Sequence, residues 1–349
     1  MYNDSDLESA VAARALSADA AAAFRAHIAT QRATVLVDEE SFRFITGFND
    51  IFVVIAIALL LLSVGWIGMS IHPSLSGAAI AAASWGLAEF FTLKRRMALP
   101  SIVLLLGFVN GIFFSAAAGM ELWIGLDNIN DRSRALLVAA AAALAAIAAY
   151  LHWRRFHVPI TVAAGAIALV GVILALIFVV VPAFLNHIGW FVLLGGLGLF
   201  AFAMWWDTSD RERRTRRSDV AFWLHLAAAP AIAHPVFSLL GIFAGDIDVL
   251  RAVIVVGLYI VLALVSLAID RRAMLVSALA YVLYAINTVF ESFGAIELNV
   301  ALTALVIGSA LLSLSAFWHK TRVAVVRCLP VAWQRRLPVL DRPALVQPR

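Results

Sequence analysis

The chain has 349 residues, of which 63% are hydrophobic and only 14% charged, with a formal net charge of +4. About a quarter of the residues of a soluble domain are charged, so this balance excludes a soluble enzyme and points to a protein built inside a membrane. The mean hydropathy of +0.95 agrees, and a basic folded face of the kind that binds nucleic acid is not left over once the apolar runs are assigned.

Residues 4–32 read as a small helical hairpin. Leu7, Val11 and Leu16 can face Phe24 and Ile28, with Ser17 capping the second helix and Asp19 in its first turn. Through Asp50 this arm holds four Arg against eight acids, which makes it a candidate contact for the basic loops or for a protein partner. Phe42, Phe44, Ile45 and Phe48 then lead to the first apolar run. No cleavable signal is expected, because the leader is charged and lacks an early apolar core. The expected division is 1–48 as a cytoplasmic leader, 49–318 as a transmembrane bundle and 319–349 as a basic tail.

Ten apolar runs follow, at 51–70, 77–93, 101–120, 135–152, 158–181, 187–206, 220–242, 250–269, 273–291 and 299–318. A hydrocarbon core of about 30 Å takes roughly twenty residues of helix, and helix satisfies every backbone group without water. The runs are continuous and lack the period-two alternation of barrel strands. The fold class is therefore all-α, a polytopic transmembrane bundle of about ten helices.

Basic residues sort by gap. Lys94, Arg95, Arg96, Arg154, Arg155, Arg211, Arg213, Arg214, Arg216, Arg217, Arg271 and Arg272 occupy one set of loops, and the alternate set holds Arg132, Arg134 and Arg251. The positive-inside rule then puts both termini in the cytoplasm of a bacterial inner membrane, with anionic lipid headgroups as partners of the Arg-rich loops. Trp66, Trp123 and Trp190 fall near outer ends, and Trp153, Trp205, Trp206, Trp223 and Trp318 near inner ends, as an interfacial belt requires. Trp85 falls within the second run and is expected to pack between helices.

The inner Arg pairs recur at Arg95-Arg96, Arg154-Arg155, Arg213-Arg214 and Arg271-Arg272, in steps of 59, 59 and 58 residues. This spacing predicts four tandem helical hairpins, each with a tight inner turn, flanked by the first and tenth runs. Pro100 and Pro159 suit the first turn of a helix. Such a parallel repeat differs from the inverted repeats of many transporters. In the tail, Val323, Val326, Trp333 and Leu337 alternate with Arg322, Arg327, Arg335 and Arg336, which predicts a helix on the inner leaflet interrupted at Pro330. Pro338, Pro343 and Pro348 suggest a disordered end.

Ionisable and amide side chains within spans are costly and are the default functional candidates. Here they are Glu89, Asn110, His225, His234 and Asn287. Asp50 and Asp219 stand at span starts and read as N-caps. At about 1.5 Å per residue, Glu89 and His225 share a depth of about 8 Å, and His234 and Asn287 one of about 22 Å. These matches predict two pairs, Glu89 with His225 and His234 with Asn287, as interhelical links. Pro230 and Pro235 should kink or break the seventh run. No catalytic motif, metal-ligand spacing or cofactor-binding pattern stands out. Asp207 and Asp246 loosely resemble the paired aspartates of intramembrane proteases, but the charge map sets them on opposite faces.

The segments Leu16-Ser17-Ala18-Asp19, Gly47-Phe48-Asn49-Asp50, Ser218-Asp219-Val220-Ala221-Phe222-Trp223 and Asp270-Arg271-Arg272 resemble a group of bacterial multi-pass inner-membrane proteins. That group has a short helical leader and no assigned activity, so the resemblance implies a bundle and no site residues. Ten runs with both ends inside also resemble the drug/metabolite transporter superfamily, whose Gly-Glu motif is echoed around Glu89. The expected function is a non-enzymatic scaffold or accessory factor. The alternative is a secondary transporter of a small amphipathic molecule, working through the proline-broken seventh helix.

Overall fold

The computed structural model describes residues 9–24, 48–124, 130–213, 215–241, 249–292 and 298–340. Leu7, Ile28, Phe42, Phe44, Ile45, Arg214, Asp246, Pro343 and Pro348, and the side chains of Phe48 and Trp123, lie outside them. The chain divides into two compact units, residues 1–42 with 339–349, and residues 43–338. In the first, helical turns cover 9–12 and 18–24. Ser17 Oγ accepts the Ala20 amide at 3.1 Å and so caps the second helix.

All regular structure among the described residues of the second unit is helical. The ten apolar runs become ten helices: α1 Phe48–Ile71, α2 Pro73–Ala88, α3 Ala98–Ile124, α4 Asp131–Phe156, α5 Ile160–Val180, α6 Ile188–Ser209, α7 Arg216–Leu239, α8 Val249–Ile269, α9 Ala273–Ser292 and α10 Asn299–Ala316. A π-helical turn, Glu89–Lys94, extends α2, and a 3₁₀ turn, Pro182–His187, leads into α6. The tail forms α11 Trp318–Cys328 and α12 Val331–Gln334, with Pro330 between them.

Seven of these helices are long and apolar enough to cross a membrane, or eight if α10 and α11, bent by 79°, form one broken span. This is a multi-pass integral membrane protein. The expectation of ten full spans is corrected in two places. α2 has only 16 residues before its π turn, and α10 turns sharply into α11.

The four hairpins α2/α3, α4/α5, α6/α7 and α8/α9 pack more extensively than any other pair of described helices. Each turn contains one non-glycine residue in the left-handed region: Arg96 (φ 53°), His157 (φ 53°), Arg213 (φ 54°) and Asp270 (φ 57°). Such residues are uncommon outside helix C-termini, and one in every turn gives the four hairpins a shared turn geometry. At the α2/α3 crossing, a Cβ on Gly77 would stand 2.5 Å from the Gly111 carbonyl, and one on Gly111 would stand 2.7 Å from the Gly77 carbonyl. The backbones touch because neither residue has a side chain.

α7 is the centre of the bundle. It packs on α6, α5 and α9, and 61% of its most apolar window is buried, against 17–44% for the other six spanning helices. The expected break is absent: α7 runs without interruption through Pro230 and Pro235. Each proline removes one backbone donor, and α6 packs closely on this stretch of α7. A Cβ on Gly196 of α6 would meet the carbonyl of Ala231, the residue four before Pro235, at 2.8 Å.

Tryptophan placement follows the interfacial expectation only in part. Trp66, Trp190 and Trp205 are exposed, whereas Trp318 is buried. Trp85 packs between helices, with ring centroids 4.9 Å from Phe108 and 5.0 Å from Phe156.

Candidate functional site

The polar interior begins at the Arg-bearing ends of α6, α7 and the α8/α9 turn. Asp207, in the last turn of α6, accepts from Arg271 Nη2 at 2.7 Å through Oδ1 and lies 2.9 Å from His225 Nε2 through Oδ2. All three side chains are almost completely buried. Arg271 also donates to the Ser218 carbonyl at 3.0 Å, and its guanidinium lies over the Phe222 ring at 5.8 Å. Ser266 Oγ donates to the Arg271 carbonyl, and the Phe200 ring meets His225 edge-on at 5.3 Å. One carboxylate and one guanidinium thus neutralise each other in a buried site where either alone would be costly. The imidazole adds a hydrogen bond from a third element.

A second cluster lies beside it in sequence. Asp270 accepts from Arg213 Nη1 at 2.9 Å and from the Trp318 indole at 2.9 Å, with Arg322 Nε at 3.7 Å. Arg213 also reaches the Ile269 and Asp270 carbonyls, and Arg272 stacks over Trp318 at 4.7 Å. Arg211 donates to the carbonyls of Leu337 and Gln334, and Arg322 to that of Pro338. The Trp318 and Arg211 bonds therefore join the tail to the bundle. Trp318 leaves the expected interfacial belt because Asp270 offers its N–H a partner.

The predicted residues scatter. Glu89 forms a bidentate ion pair with Arg155, at 2.9 and 2.7 Å, so its expected pairing with His225 is not made. The two share a depth but not a neighbourhood, since α2 packs on α1 and α3 while α7 packs on α6, α5 and α9. His234 is exposed on α7, and its Nδ1 lies 2.8 Å from the Tyr281 hydroxyl of α9. Asn287 is half-buried on the same helix, α9. Pro230 is exposed and Pro235 buried. Asp219 lies in the first turn of α7 but is not its cap; that role belongs to Thr215, whose Oγ1 accepts the Arg217 amide at 3.3 Å. Asp50 is likewise inside the first turn of α1.

Asn110 has a different setting. It lies near the middle of α3 and lines a cavity of about 480 Å³ bounded by α3, α4, α5 and α7. Its Nδ2 donates to the Leu106 carbonyl at 2.8 Å. The remaining lining is apolar, including Val138, Ala142, Ile167, Gly171, Trp223 and Leu226. Leu106, Val138 and Ile167 are themselves exposed, so the cavity is a groove open at the flank of the bundle.

Two groups escaped the sequence reading. From the chain alone Asp207 stands out only beside Asp246, and Arg271 only marks a turn. Their pairing was nonetheless signalled by an acid and a base that end different apolar runs on the same predicted face. His152 is the other: it is buried on α4, with Nδ1 3.2 Å from Thr161 Oγ1 and its ring 4.5 Å from Phe156. No protein-family model matches the chain, and no match is found among curated proteins or solved structures.

Proposed function

We propose that this chain is a bacterial inner-membrane protein, with both ends in the cytoplasm, that performs no chemistry and serves as a scaffold or accessory factor. The reading rests on the Asp207–Arg271–His225 cluster. The ionisable groups most completely buried around α7 are bonded to one another, at 2.7 and 2.9 Å, and tie α6, α7 and the α8/α9 turn into one body. A group so engaged supports rigidity, whereas a proton relay or ion path requires ionisable groups that face a wet route. The proposed partners are anionic lipid headgroups at the Arg-rich turns and a protein that meets the acidic leader; nucleic acid is not among them.

The test is isolation of the full chain from native membranes in polymer-bounded lipid discs, followed by crosslinking through the leader. A reproducible protein partner that is lost when the leader acids are neutralised is the expected result. Protein-dependent flux of amphipathic dyes into proteoliposomes, with no partner recovered, would overturn the scaffold reading.

A second reading, a carrier for a small amphipathic molecule, is supported by the groove beside Asn110 rather than by any interruption of α7. Flux that is abolished by filling the groove would establish it.

A further inference from the structure

The groove combines three features that do not follow from its being a gap between helices. First, it is elongated: its lining on α5 runs from Ile160 to Gly171, about 16 Å at 1.5 Å per residue. Its volume, about 480 Å³, falls in the range of roughly 300–1,000 Å³ typical of small-ligand sites.

Second, its polar character is confined to mid-depth. Asn110 stands about 18 Å along α3 from the Arg-rich end. With one Nδ2 hydrogen given to Leu106, the amide retains a second donor hydrogen and the Oδ1 acceptor, and Oδ1 has no hydrogen-bond partner among the described residues. A groove in an apolar medium that offers one donor and one acceptor on a single amide suits a hydroxyl, a small group that both donates and accepts.

Third, one end is cationic. Arg95 and Arg96 precede α3, Arg154 and Arg155 end α4, and Arg216 and Arg217 begin α7, all of them exposed. The acids nearest these arginines are Glu89, paired with Arg155, Asp219, one turn into α7, and Asp210 and Glu212 of the α6/α7 turn, of which Asp210 accepts from Thr215.

We infer that this groove binds a single-chain anionic amphiphile whose apolar chain carries a hydroxyl part-way along, with the headgroup at the arginine-rich end and the hydroxyl on Asn110. The chain lies along α5 between Ala142 and Trp223. The site does not depend on whether the protein moves the molecule or keeps it as a fixed component.

The probe is stearate hydroxylated at mid-chain, measured by equilibrium binding of the labelled acid to the full protein in lipid discs, with unsubstituted stearate and the hydroxylated methyl ester as comparisons. The hydroxylated acid is expected to bind about fivefold more tightly than stearate, the worth of one hydrogen bond. Asn110→Leu removes that preference while leaving stearate binding in place. Gly171→Phe, introduced where a Cβ would meet only Ala142 at 3.7 Å, weakens both acids. The methyl ester binds less tightly than its acid. Equal binding of the two acids to the native protein, or a preference that survives Asn110→Leu, would overturn the assignment of the hydroxyl. Equal binding of acid and ester would overturn the anionic head. A photoreactive group at Val138 that captures a polypeptide instead of lipid would give the groove to a partner helix and sink the proposal.

Discussion

Asp207 and Arg271 are separated by 64 residues in the chain, yet their side chains meet at 2.7 Å with almost no exposure. Breaking a buried pair by removing one partner leaves an uncompensated charge and costs about 3–5 kcal/mol. Asp207→Asn keeps the shape and removes the charge, so its thermal unfolding midpoint in mild detergent should fall sharply. The double variant Asp207→Leu with Arg271→Met, which removes both charges, should recover part of that loss. Glu89→Gln breaks a half-exposed pair and should lower the midpoint less than Asp207→Asn does. Native-like unfolding of Asp207→Asn would show that the cluster does not hold the helices.

The contact between α2 and α3 gives a second expectation. Gly77→Val and Gly111→Val each place a Cβ under 3 Å from backbone atoms of the facing helix, so the helices must separate and the loss should exceed about 1–3 kcal/mol. Gly86 and Gly198 have open space around them. Gly86→Ala and Gly198→Ala should therefore be neutral or stabilising, by up to about 1 kcal/mol. Chemical denaturation followed by size-exclusion chromatography separates the two classes. Equal tolerance at all four positions would contradict the tight crossing.

Periodicity and charge carried much of this architecture. Ten apolar runs became ten helices because a long apolar segment has one way to satisfy its backbone, and the Arg pairs marked turns because each closes a hairpin. Pairing of polar groups was not legible in the same way. Depth along a helix can be counted from the chain, but which face meets which neighbour depends on packing, and so Glu89 found Arg155 in place of His225. The same limit hid the groove. Asn110 was visible as an intramembrane amide, but its setting depends on Ala142, Gly171 and Trp223 coming together from three other helices. The prolines of α7 do not interrupt it either: the helix runs from Arg216 to Leu239 with both inside, because one missing donor removes a single bond from a long ladder.

Asp270 joins the bundle to its tail, accepting from Arg213 and Trp318 at 2.9 Å each. Asp270→Asn retains a residue that tolerates the left-handed turn at φ 57° but removes the charge facing Arg213 and Arg322. The tail should then loosen while the bundle stays folded. Limited trypsin digestion should cut at Arg327, Arg335 and Arg336 several times faster than in the native protein, with the unfolding midpoint lowered by only a few degrees. Unchanged cleavage would mean that the bonds from Arg211 to the Leu337 and Gln334 carbonyls suffice to hold the tail.

Cys328 tests the charge map directly. It is the one cysteine of the chain, it is exposed, and it ends α11, close to the Arg-rich turns through Trp318 and Asp270. If the positive loops face the cytoplasm, a membrane-impermeant maleimide should label Cys328 in inverted vesicles and not in right-side-out spheroplasts, and Cys328→Ser should abolish the signal. Labelling from the outside would reverse the orientation of every helix. The arginine-rich end of the Asn110 groove would then face the periplasm, and an amphiphile bound there would be drawn from the outer leaflet.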